Sequence, residues 1–366
     1  MNLAHPHSQR LANLLALLDD QNLGYVVISQ PQHVFYFTGS MPGSAPAFLI
    51  VSSNKKVAVA ANVLEGWETI LYTSYDIRRG WSTSLNAREA LQKALSGFTA
   101  PGKTAGVELS HLPALYLPVV QSVGSGLQDL GELLWRLRRI KDETEIAQIQ
   151  ANLTANDQVF AAVQKALRPG VAEYELWGLI YRLKCQAAGE PIILEADMGV
   201  GERGSNPDAK PGLFDVQAGE AVFVDVYTCS RGYYADTTRV FTVGKANPRQ
   251  REIFGIIAEA LRQGEGVLAP GVRACEVDTA VRGVIERAGY GACFPHHSGH
   301  AFGLFQQEKP YLIPVETLPL ETGMIVTLEP GIYLPGWGGM RLESSYLIET
   351  TGSRRLDHFT RELVEV

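Results

Sequence analysis

The stretch VFVDVYTCSRGYYADTTRVF, residues 222 to 241, has the make-up of two apolar strands around a tight turn. Each strand nevertheless carries a carboxylate, Asp225 or Asp236, where a core side chain belongs. The pattern recurs. GEAVFVD begins at Gly219 and reaches Asp225 six residues on, and GMIVTLE begins at Gly323 and reaches Glu329 six residues on. The strands that follow, YYADTTRVF and MRLESSYLI, supply Asp236 and Glu343. Two ribbons with one acid per strand describe a duplicated half-domain whose carboxylates converge at a pseudo-twofold axis. A two-residue turn centred between Ser230 and Arg231 would set Asp225 directly opposite Asp236, with Cβ atoms about 4.5–5.5 Å apart. In the second ribbon the midpoint of Glu329 and Glu343 is Gly336, inside the turn-forming LPGWGG.

Four carboxylates packed together in apolar strands cannot all stay ionised unless cations compensate them; otherwise their pKa values rise. Two divalent ions match the four negative charges, whereas one would leave two of them buried and uncompensated. His300, among the small residues of PHHSGHAFG, offers an imidazole to the same centre. A solitary histidine is usually a hydrogen-bonded core residue; beside four paired acids it reads as a ligand. Oxygen-rich ligation with one imidazole suits manganese, cobalt, iron or zinc.

A chain of 366 residues exceeds most single domains, so two are expected. GYVVIS, AFLIVSS and KVAVAA alternate with turn-rich or helical pieces over residues 24 to 61, the pattern of a small α/β domain, and another helical run follows near 86 to 97. LLWRLRRIKDETEIAQIQANLTANDQVFAAVQKAL, residues 133 to 167, reads as one long helix with a solvated, charge-laced face joining two domains, 1–135 and 136–366. Helices over AEYELWGLIYRLKCQAAG and between about 248 and 289 precede a final sheet-rich block. The fold class is thus α+β.

Composition excludes little but orders the partners. A net charge of −7 spread along the chain gives no reason to expect nucleic acid or an anionic membrane surface. No apolar run approaches the roughly 20 residues of a membrane span, and the amphipathic first helix carries acids where a signal peptide would be apolar. Cys185, Cys229, Cys275 and Cys293 lack zinc-site or disulfide spacing, which fits a reducing, cytoplasmic setting.

These residues resemble the pita-bread metallopeptidases, the family of prolidase, aminopeptidase P and methionine aminopeptidase, with creatinase as a non-metal relative. HVFYFTG is similar to the family's amino-terminal domain motif and LRRIKDETEI to its interdomain signature; Asp225, Asp236 after 11 residues, His300, Glu329 after 29 and Glu343 fall at family spacing. The resemblance implies a small creatinase-like α/β N-terminal domain and a pita-bread catalytic domain holding two divalent ions, manganese or cobalt first, zinc or iron as alternatives. It implies that Asp225 is bidentate to one ion, that His300 binds the other, and that Asp236 and Glu343 bridge. Glu329 would be an edge ligand and the general base and acid of a reaction in which a metal-bridging hydroxide attacks the scissile carbonyl, with Arg341 bracing the carboxylates and His296 retained from the family's HxxxH element. A homodimer acting on a small peptide or small molecule is also implied.

The chain departs from the pattern at two substrate-site histidines. Asp208 in NPDAKPG stands where the PHA element carries one, 17 residues before Asp225, and Gln307 stands seven residues after His300. Glutamine still donates a hydrogen bond, a contribution worth about 10² to 10³ in rate at an oxyanion; an ionised aspartate does not. Three functions remain open: an Xaa-Pro peptidase of altered preference with Asp208 receiving a cationic group; a metal-dependent hydrolase or lyase on a small non-peptide molecule, cationic or not, as resembles the ectoine hydrolase and dimethylsulfoniopropionate lyase branches; or a binding protein without activity. Tyr233 and Tyr234 read as packing residues, His297 as a bystander, and Trp81 and Trp135 as core or interface.

Overall fold

The computed structural model describes residues 6–62, 72–75, 83–98 and 102–366. Trp81 lies outside the described residues. The chain divides into two compact units, Met1–Arg138 and Arg139–Val366.

In the first unit the apolar runs form β1 (Leu23–Ile28), β2 (Phe48–Ser52) and β3 (Val57–Asn62), with β4 (Tyr72–Tyr75), β5 (Thr104–Val107) and β6 (Gly126–Asp129) completing a six-stranded mixed sheet in the order β4-β3-β2-β1-β5-β6. Helices α1 (His7–Asp20), α2 (Pro31–Thr38), α3 (Thr83–Leu95), α4 (Leu117–Gln121) and α5 (Gly131–Arg138) accompany it. Tyr25, Val27, Phe48 and Ile50 pack with Leu91, Leu95 and Tyr116 in a single core. β1 is buried on both faces, which is why it reads as an unbroken apolar run rather than an alternation. Trp135 is buried in α5, as a core residue should be.

The long helix expected over 133–167 is two helices. α5 ends at Arg138 and α6 spans Glu143–Ala166. Asp142 caps the second: its carboxylate accepts from the N–H groups of Thr144 and Glu145, while Glu145 reaches back to the N–H of Asp142. This reciprocal pair satisfies donors that a continuous helix would not leave open, so it starts a helix where periodicity alone continues one. The intervening basic run is not simply solvated either, because Lys141 is buried and its ammonium lies 3.2 Å from Glu308, itself buried.

In the second unit the order helix pair, then strands, occurs twice. α6 and α7 (Glu173–Ala188) precede β7 (Ile193–Val200), β8 (Ala221–Ser230) and β9 (Tyr233–Thr242); α8 (Pro248–Glu265) and α9 (Ala274–Arg287) precede β10 (His300–Ala301), β11 (Glu308–Tyr311), β12 (Ile325–Leu328), β13 (Gly331–Leu334), β14 (Gly338–Arg341), β15 (Ser344–Glu349) and β16 (Gly352–Arg355). β17 (Val364–Glu365) returns to β9, giving the order β17-β9-β8-β7; a second sheet runs β11-β10-β12-β15-β16, and β13 pairs with β14. Each half has its own core: Val159, Phe160, Ile180, Val222 and Phe241 in the first, Ile253, Ile257, Val281, Val326 and Tyr346 in the second.

The turn of the first ribbon sits one residue later than expected, which shifts the pairing by two residues. Ser230 pairs with Tyr233, so the turn is Arg231–Gly232, and both residues have positive φ (49° and 80°) as a type I′ turn demands. Gly232 belongs inside the turn, at its second position, rather than just after it. Asp225 therefore opposes Thr238 and Asp236 opposes Tyr227. The two aspartates are diagonal neighbours on one face, still within reach of a shared centre. The second ribbon is centred on Gly336 as expected, with Gly331 opposite Arg341 and Leu334 opposite Gly338.

Candidate metal centre

Asp225 on β8, Asp236 on β9, His300 at the start of β10, Glu329 just before β13 and Glu343 just after β14 line one cavity of about 430 Å³, together with His296, Arg341, Asp208 and Gln307. Every residue singled out from the sequence for the site thus lies in a single cleft. The five ligand candidates are buried, each at 8% exposure or less, whereas Asp208 and Gln307 are exposed at the cleft's edge.

Backbone geometry places the imidazole. Gly299, at φ +158°, lies against β12, where an added Cβ would collide with the carbonyl of Thr327. The close approach lets Glu329 donate its N–H to the carbonyl of Ser298 and sets His300 Nε2 3.4 Å from Glu329 and 3.7 Å from Asp236. His300 Nδ1 lies 2.9 Å from its neighbour's carbonyl, Ala301 O, and must donate there, which leaves Nε2 with a lone pair facing the acids. The loop before it is tied to α9: Ser298 donates to Asp278, Asp278 pairs with Arg282, and Arg282 donates to the carbonyls of Phe294 and His296.

On the opposite side Arg341 donates to Asp225 at 2.5 Å and lies 3.6 Å from Asp197, while also reaching Tyr333 Oη and the carbonyl of Pro207. Tyr333 Oη, which accepts from Arg341, lies 2.9 Å from His296 Nε2; His296 Nδ1 donates to the carbonyl of His297. Both nitrogens of His296 are thereby assigned to a neutral ring, and burial does push its pKa down to about 4. Thr238 donates to Glu343 and receives Arg341 Nε.

The electrostatics show what the acids lack. Burial first, then neighbouring carboxylates, pushes Asp236 well above its ordinary range; Glu343 rises for the same reasons, and Asp225 rises to about 6 despite Arg341. Glu329 moves the other way: burial acts to raise it, but its imidazole neighbours, His297 ahead of His300 and His296, together outweigh burial and bring it down. Asp225 Oδ1 and Asp236 Oδ1 are buried with no hydrogen-bond partner. Asp236, His300 and Glu343 bring donor atoms within 4.8 Å of one another, as do His296, His297 and Glu329. Buried anionic oxygens without donors, beside a neutral imidazole, are the donor set a hard or borderline divalent cation takes.

A sequence profile for metallopeptidase family M24 matches residues 147–350, and one for the creatinase/prolidase N-terminal domain matches residues 10–140. The chain belongs to metallopeptidase family M24. It is, with that family, a metal-dependent peptidase built as a creatinase-type N-terminal domain and a pita-bread catalytic domain. An Xaa-Pro dipeptidase of Lactobacillus helveticus is 30% identical over 366 residues, covering 96% of this chain and 98% of that one. Among solved structures the prolidase from Pyrococcus horikoshii OT3 superposes with a TM-score of 0.87 at 26% identity, covering 97% of this chain and all of that one, and a dipeptidase from the same organism with 0.88 at 29%, covering 98% and 100%.

Several members of this M24 site escape sequence reasoning. Asp197 on β7 faces the cavity directly across from Asp225, and its carboxylate accepts from Lys210 at 2.5 Å and from Tyr227 Oη at 3.3 Å. An acid in the apolar run ILEADMGV was the available signal. Tyr333 gave none, because its role depends on the register that brings it to His296 and Arg341. His297 also lines the cavity. Tyr233 and Tyr234 do not line it.

Proposed function

We propose that this peptidase cleaves short Xaa-Pro peptides with a preference altered by Asp208 and Gln307, and that Asp225, Asp236, His300, Glu329 and Glu343 hold two divalent ions. The observation that carries the reading is the pair of buried, unpartnered Oδ1 atoms of Asp225 and Asp236 in a carboxylate cluster whose pKa values rise without compensating charge. The relatives named as Xaa-Pro dipeptidase and prolidase support the substrate class.

Divalent ions bound there supply Lewis acidity, lowering the pKa of water and polarising a peptide carbonyl. The remaining work falls to the chain. Glu329, kept ionised by its imidazole neighbours, is placed to take a proton and return it to the leaving nitrogen. Arg341 and Tyr333 fix Asp225 and His296, so the ligand and the imidazole keep their orientation while substrate enters. Gln307 presents an amide donor from the cleft's edge to a carbonyl oxygen. Asp208, exposed at the same edge, presents a charge that attracts the ammonium of a free amino terminus or a cationic side chain.

Manganese or cobalt leads the choice of ion. Dimerisation and a cytoplasmic location belong to the same reading, the latter supported by four free cysteines. Proline release from a panel of Xaa-Pro dipeptides and longer peptides, by chelator-stripped protein reloaded with manganese, cobalt or zinc, tests it. Activity that rises in Asp208→His on neutral substrates and falls on cationic ones supports the role given to Asp208. Loaded protein that releases proline from none of them refutes the Xaa-Pro reading and favours a small non-peptide molecule as substrate; a protein that binds no ion refutes the metal centre.

A further inference from the structure

His297 is half-buried, lines the cleft, and is not accounted for by the five ligands or by the residues at the cleft's edge. Its Nδ1 lies 3.1 Å from Glu329 Oε1, close enough for a hydrogen bond, yet the atom has no hydrogen-bond partner because ring and carboxylate are not aligned for one. Two donor atoms lying side by side without pointing at each other is the arrangement of two ligands aimed at a third point. The spacing agrees. Ligands about 2.1 Å from an ion, at angles between octahedral and tetrahedral, stand about 3.0–3.4 Å apart, and Glu329 Oε1 is 3.1 Å from His297 Nδ1 and 3.4 Å from His300 Nε2. The rings of His297 and His300 are perpendicular, with centroids 5.2 Å apart, and so do not stack over the space between them.

We propose that His297 is a sixth protein ligand of this centre, donating through Nδ1 to the ion that Glu329 and His300 hold. The inference rests on the metal centre proposed above and adds a second imidazole to it. A nitrogen-richer set changes the ion the site prefers: imidazole favours zinc, cobalt and iron, whereas manganese is satisfied by carboxylate and water. His297 would thus bias one of the two positions toward zinc or cobalt.

The test uses the full chain stripped by chelator and titrated separately with zinc, manganese and cobalt, in wild type, His297→Ala and His297→Gln. Glutamine keeps an N–H that can support Glu329 but does not replace an imidazole as a ligand. The expected result is that both variants lose about tenfold to a hundredfold in zinc affinity at one of two positions, lose less for manganese, and show an altered visible absorption spectrum with cobalt. Melting curves of the ion-free variants that match wild type show that the loss is not unfolding. A His297→Gln protein with wild-type affinities and cobalt spectrum overturns the proposal, leaving His297 as a hydrogen-bond support for Glu329. Unchanged binding in both variants overturns it too. Wild-type protein that binds no ion at all removes the metal centre itself and this inference with it.

Discussion

Replacing Asp236 by asparagine separates the cost of the buried acids from their use. In the ion-free protein Asp236 is 3% exposed, its Oδ1 has no partner, and burial together with Glu343, Asp225 and Glu329 disfavours its charge. The amide has nearly the same shape without the charge. A buried unsatisfied polar group costs about 1–3 kcal/mol, and more when charged; because asparagine relieves the charge and keeps part of the polar cost, a gain of about 1–2 kcal/mol is expected. For a unit the size of Arg139–Val366 this corresponds to a rise in Tm of about 2–8 °C. Ions reverse the order. At a concentration one hundred times Kd, a bound ion stabilises wild type by about 2.7 kcal/mol, a rise of about 5–10 °C, while the variant, missing an anionic ligand, gains much less. The curves should therefore cross, with the variant melting higher without ions and lower with them. Scanning calorimetry of stripped protein at pH 7.5, with and without manganese, cobalt or zinc, reads both effects. An ion-free variant that melts below wild type, combined with an equal ion-induced rise in both proteins, would refute the argument that this carboxylate is a strained ligand.

Other consequences are open to the same kind of measurement. Asp225 is raised from 3.8 to about 6, so the folded ion-free protein binds more protons than the unfolded chain between about pH 4 and 6; that stability is fully present below about pH 4 and lost as pH rises through 6, about 3 kcal/mol from this group. Ion-free protein should accordingly melt higher at pH 5 than at pH 7.5, and a flat profile would contradict the shift. Arg239 and Asp357 form a fully buried pair, and Arg239 also donates to the carbonyl of Glu343; Arg239→Ala should cost about 3–5 kcal/mol in urea unfolding by stranding the acid, and a loss below about 1 kcal/mol would argue against it. Gly299→Ala forces the backbone away from Thr327 and should weaken ion binding at least tenfold, read by competition with a chelating dye; unchanged affinity would show that His300 does not depend on that close approach.

Much of the site is written along the chain. Asp225 and Asp236 are legible because a carboxylate in an apolar strand breaks a local pattern; Glu329 and Glu343 break the same pattern but fall in the short links after β12 and β14 rather than within a strand, and Gly336 marks the second ribbon's centre because turn chemistry is local. The first ribbon was legible less accurately: the acids' symmetric spacing pointed to a turn one residue early, and the positive φ of Arg231 and Gly232 decided against it. The helix over 133–167 failed for a related reason, since hydrophobic periodicity runs through the Asp142–Glu145 capping box without registering it.

Sequence by itself determined which acids and which imidazole interrupt the apolar pattern of the two ribbons, because strand alternation and turns depend on neighbours a few positions away. Only the tertiary structure decided that Lys141 is buried on Glu308, that Asp197 faces Asp225 under Lys210, that Tyr333 joins Arg341 to His296, and that His297 comes beside Glu329. Most of these partners are separated by tens of residues or more, and no local pattern encodes their meeting. Strand register and the packing of the two halves bring them together, and the low dielectric of the interior then makes each buried charge find its partner or wait for an ion.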